Sequence, residues 1–61
     1  MEIIMVLDEY KEQVATYLRE KLNYSEQNII DSFEMYEPVF QKNFKKGYSV
    51  VLMATLIDFE F

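Results

Sequence analysis

Residues 50–61 read VVLMATLIDFEF, and the secondary structure of this segment decides the fold class. The run is apolar almost all round. On a helix, Val50, Met53, Ala54, Ile57 and Phe61 mark one face, and Val51, Leu52, Leu56 and Phe59 mark the other. A helix with two apolar faces must be central or share its second face with another chain. The β-branched residues also permit a strand, for which the apolar block at residues 3–7 offers a pairing partner. That alternative is an α+β fold with short strands at 3–7 and 50–57 backed by two helices. The helical reading is preferred because Met53, Ala54 and Leu56 favour helix and the run lacks polar alternation.

Working back along the chain, Lys46-Gly47-Tyr48-Ser49 is the strongest break. The only glycine follows two lysines, the expected place for a left-handed helix C-cap, and Ser49 can cap the helix that follows. Before it, Ile29, Phe33, Tyr36, Phe40 and Phe44 form one apolar stripe, flanked by Ile30, with Asp31, Glu34, Gln41, Lys42 and Lys45 on the wetter side. Aromatic side chains can bury roughly 150–250 Å² each, so this stripe must be covered. Pro38 interrupts it by deleting the donor that would reach the Glu34 carbonyl. Because the stripe keeps its phase across Pro38, a kinked continuous helix is expected rather than a new short helix with Pro38 in its first turn.

At the first break, Asn23 can take the left-handed conformation that closes one helix, and Ser25 can cap the next. Upstream, Ile3, Leu7, Tyr10, Val14, Leu18 and Leu22 recur at helical spacing with Tyr17 beside them. This helix either starts near residue 2 or follows a short strand, with Asp8 as the cap ahead of Glu9. The expected architecture is an all-α three-helix bundle, about 2–22, 26–46 kinked at Pro38, and 50–60. It forms a single small domain over residues 1–61, and it is expected to be dimeric.

Composition narrows the chemistry. The chain has 61 residues, no Cys and no His. Disulfides, zinc-finger geometry, thiol chemistry and imidazole acid/base chemistry are all absent. A single glycine leaves no phosphate-binding loop. The carboxylate pairs Asp8/Glu12, Glu9/Glu12 and Glu34/Glu37 read as solvated helix-face charge rather than as an acid/base or metal site. Ser25 and Ser49 read as caps and Ser32 as a surface residue, with no base to activate any of them. No catalytic, cofactor-binding or metal-ligating residue is expected, and no small-molecule substrate.

The formal net charge is -5. Residues 1–37 carry nine acids and three bases, and residues 38–61 carry three bases and two acids. Lys42, Lys45 and Lys46 are the only basic cluster, readable as complement to a helix C-terminus or as an anion contact. A net negative field disfavours nucleic acid. A helix-turn-helix reading fares poorly, since residues 50–61 offer only Thr55, Asp58 and Glu60 to base edges, and residues 26–37 set Gln27 and Asn28 among Glu26, Asp31, Glu34 and Glu37. The longest apolar run falls far short of the ~20 residues that a membrane span needs. No basic leader precedes residues 3–7, and the expected compartment is the cytoplasm.

The leading functional expectation is a non-enzymatic interaction protein, a small acidic helical regulator, inhibitor or adaptor that works as a homodimer or heterocomplex. Its expected partner interface is Val51, Leu52, Leu56 and Phe59 with the turn tyrosines Tyr48 and Tyr24. One alternative is a dimeric DNA-binding regulator that uses the Lys42/Lys45/Lys46 patch. Another is a structural subunit of a larger assembly.

Overall fold

The helical periodicity becomes four helices in the computed structural model, which describes residues 6–61: α1 (Leu7–Lys21), α2 (Glu26–Met35), α3 (Glu37–Lys45) and α4 (Val50–Glu60). No strand occurs among the described residues. The α+β alternative is overturned at residues 50–57, which lie inside α4. Ser49 Oγ accepts the Leu52 N–H at 3.1 Å, and the Met53 N–H reaches the Ser49 carbonyl at 2.9 Å, so the first turn is helical from the cap onward. Of the other expected strand, residues 3–5 lie outside the described residues and Leu7 opens α1.

The helix ends follow local chemistry. Asn23 takes φ 59° after α1, and the Tyr24 N–H donates to the Leu18 carbonyl at 2.9 Å. Ser25 Oγ then accepts the Asn28 N–H at 3.1 Å and starts α2. Gly47 takes φ 82° after α3. Its N–H donates to the Phe44 carbonyl at 3.1 Å and that of Tyr48 to the Asn43 carbonyl at 3.0 Å, the bond pair of a Schellman cap.

Three expectations are corrected. The kinked helix over 26–46 is instead two helices, so the bundle has four members and not three. Tyr36, at φ −107° and ψ 17°, leaves the helical region, ends α2 and precedes α3, and Pro38 falls in the first turn of α3. There its missing donor costs nothing, because a first-turn N–H has no intrahelical acceptor, and α3 closes its first turn with the Phe40 N–H on the Tyr36 carbonyl at 2.9 Å. Pro38→Ala is therefore expected to lower stability by less than about 1 kcal/mol, through the added freedom of the unfolded chain. In a continuous helix, removing the proline would instead raise stability by about 3 kcal/mol, and chemical denaturation distinguishes the two signs.

The second correction concerns Asp8, which is not a cap. The N-cap position is Val6, with no side-chain bond, and Asp8 and Glu9 lie in the first turn, where negative charge favours the helix N-terminus. Ser32 is the third. It is fully buried, and its hydroxyl donates to the Ile29 carbonyl at 3.0 Å, which satisfies it within its own helix.

The core comprises Tyr10, Val14 and Leu18 of α1, Ile29 of α2, Phe40 of α3, and Met53, Ala54 and Ile57 of α4. Helix α1 packs against the other three, most extensively against α4, so α1 and not α4 occupies the centre. The aromatic stripe wraps around it. Phe33 and Phe40 meet edge to face at 4.6 Å, and Tyr10 contacts Phe44 at 5.1 Å and Phe40 at 6.3 Å between ring centroids. Asn43, also buried, donates through Nδ2 to the Met53 sulfur at 3.4 Å and links α3 to α4. Lys11 pairs with both carboxylate oxygens of Glu37 and stands 5.8 Å from the Phe40 ring centre, which ties the start of α3 to α1.

Candidate protein-docking face

Helix α4 presents its two apolar faces to different surroundings. Met53, Ala54 and Ile57 are buried against the bundle and Val50 is half-buried. Successive helical residues turn by 100°, so Val51, Leu52, Thr55, Leu56 and Phe59 form a stripe on the opposite side. Phe59 is 88% exposed, Val51 52% and Leu52 49%, while Leu56 at the stripe's edge is half-buried. Large apolar side chains scattered singly are ordinary on a protein surface; here they are contiguous along one helix face.

The ends of the stripe differ in charge. The last turn of α4 carries Asp58 and Glu60, and the first turn carries no acid and follows the segment bearing Lys45 and Lys46. Asp58 accepts the Tyr24 hydroxyl at 2.9 Å, and the Tyr24 ring lies 6.1 Å from that of Phe61. Burial, then the hydrogen bond and the negative charge of Asp58, push the Tyr24 pKa up to about 12, so the phenol remains a donor across the neutral range. Tyr24 thus fastens the α1–α2 turn to the end of α4 and borders the stripe. Tyr48, half-buried, belongs to the α3–α4 turn at the opposite end, where its N–H completes the α3 cap. Of the six residues singled out in the sequence, four share the outer side of α4 and the two tyrosines sit at its two ends.

Lys42 and Lys45 stand in the last turn of α3 and Lys46 at its C-cap, all exposed. Their charge complements the carbonyl end of that helix. Sequence reasoning passed over an apolar groove lined by Ile29, Ile30 and Phe33 with Glu34 and Glu37. Ile30, half-exposed beside the buried Ile29, was the signal available for it. Two acids of this region are already paired, Glu37 with Lys11 and Glu26 with Arg19.

Among the described residues, no helix is long and apolar enough to cross a membrane, and no group of three or more Asp or Glu side chains converges as a metal site would require. No protein-family model, curated protein or solved structure matches the chain.

Proposed function

We propose that this chain is a non-enzymatic protein-interaction module that works as a homodimer, with the outer face of α4 as the contact. The observation that carries the reading is the exposure of Phe59, Val51 and Leu52 in one stripe on a helix whose other face is already in the core. A chain of 61 residues without disulfides hides only about 60% of its unfolded surface, so a covered α4 adds stability that the monomer lacks.

A second copy suits this face in particular. It offers a helix of the same length with the same stripe. Lys45 and Lys46 precede α4 while Asp58 and Glu60 end it, so opposite charges lie near the two ends of the stripe, which suits pairing with a second copy. The stripe is short, which points to a reversible dimer of modest affinity rather than an obligate one.

Sedimentation across a dilution series is the test. The mass is expected to rise from the 7.4 kDa of one chain toward twice that value as concentration increases from micromolar to millimolar. A single-chain mass throughout the series overturns the homodimer, and continued growth past the dimer assigns the chain to an open-ended assembly instead.

A further inference from the structure

Resting on the homodimer reading above, we infer that the two copies pair α4 against α4 in antiparallel orientation, with Lys45 and Lys46 of each copy facing Asp58 and Glu60 of the other. Charge placement is the first ground. A helix favours acids in its first turn and bases in its last, yet α4 has neither, and its two acids occupy the last turn, at the negative end of its own dipole. Within the monomer that placement is unfavourable. Glu60, Lys45 and Lys46 are exposed, and none takes part in an ion pair among the described residues. An antiparallel copy brings the positive N-terminal end of its α4, and the lysines that precede it, beside those acids. A parallel copy sets Glu60 beside Glu60 and Lys46 beside Lys46.

Side-chain size is the second ground, and it is independent of charge. Thr55 stands midway between Val51 and Phe59 on the stripe. A two-fold axis near Thr55 places the large Phe59 of each copy against the small Val51 of the other and lets the backbones approach at the threonine. Parallel pairing stacks Phe59 on Phe59 and leaves Val51 facing Val51 across a gap. Val51 to Phe59 spans about 12 Å at 1.5 Å per residue, so the apolar contact covers little more than two turns, and charge at its ends weighs on the orientation.

The experiment compares dimer dissociation constants by sedimentation at low ionic strength, where exposed pairs are least screened. The chains are the wild type, Glu60→Lys, Lys45→Glu with Lys46→Glu, and all three substitutions in one chain. All three positions are exposed and outside the core, and circular dichroism confirms that each variant is folded. Because each substitution enters twice across the two-fold axis, Glu60→Lys and the lysine double variant are each expected to weaken the dimer about tenfold. The triple variant is expected to bind more tightly than the lysine double variant and more weakly than wild type, since Glu60→Lys again opposes the reversed lysine positions while Asp58 keeps its sign. Dissociation constants unchanged by either partial reversal, in a wild type that does dimerise, overturn the antiparallel pairing and leave the homodimer reading standing. A wild type that stays monomeric removes the homodimer itself.

Discussion

Phe40→Ala is expected to remove most of the stability of the fold. Phe40 is completely buried, meets Phe33 at 4.6 Å and Tyr10 at 6.3 Å, and lies under Lys11. Truncating a buried phenylalanine to alanine costs about 3–5 kcal/mol, from lost transfer energy and from the cavity left behind. Native stability of about 0.05–0.15 kcal/mol per residue gives a domain of this size roughly 3–9 kcal/mol in total. One truncation therefore consumes most of what holds the fold. Chemical denaturation followed by circular dichroism checks it, and Phe40→Leu, which keeps most of the volume, is expected to cost less than about 2 kcal/mol. A midpoint unmoved by Phe40→Ala would contradict the burial described for this ring.

Leu52→Asp is expected to abolish self-association and leave the fold intact. The new carboxylate enters a contact twice in a symmetric dimer, unpaired and stripped of water, at a combined cost of more than about 3 kcal/mol, or more than a hundredfold in the dissociation constant. Within the monomer the same change is benign. Leu52 is half exposed and lies in the first turn of α4, where an acid interacts favourably with the helix N-terminus, and its own N–H continues to donate to Ser49 Oγ. The expected pair of results is a single-chain mass at every concentration and, at dilutions where the wild type is itself monomeric, helicity and thermal midpoint at or slightly above wild type. Leu56, half-buried at the edge of the stripe, would be a poorer choice because a charge there also disturbs packing within the monomer. Dimerisation undiminished by Leu52→Asp would remove the outer face of α4 from the contact.

Four of the helix caps were legible in the sequence because each is settled by its own few residues. Asn23 and Gly47 supply the positive φ that closes a helix, and Ser25 and Ser49 supply the oxygen that opens one. The break at Tyr36 was hidden for a definite reason. One non-helical residue redirects the chain without changing which side is apolar, so Ile29, Phe33, Phe40 and Phe44 still face the bundle and their spacing cannot report the interruption. The burial of Ser32 was hidden because its hydroxyl is satisfied by a carbonyl of its own helix and needs no partner elsewhere in the sequence. Hydrophobicity likewise left open whether α4 is central or shares its second face with another chain. Helix α4 is the most apolar, but α1, with a narrower stripe, is the one surrounded on three sides. For the docking face, an excess of apolar residues over what one side of a helix can bury was visible at once. Which of them stay outside depends on how α1 and α4 lean together, and no local pattern encodes that.

The dominance of the α1–α4 contact bears on how the chain is made. Met53, Ala54 and Ile57 fill their side of the core only after α2, α3 and both turns have left the ribosome, whereas the surface on α1 that receives them, at Tyr10, Val14 and Leu18, emerges early. Until then a nascent polypeptide leaves the part of that greasy strip that α4 covers open to water, and cooperative collapse waits for α4.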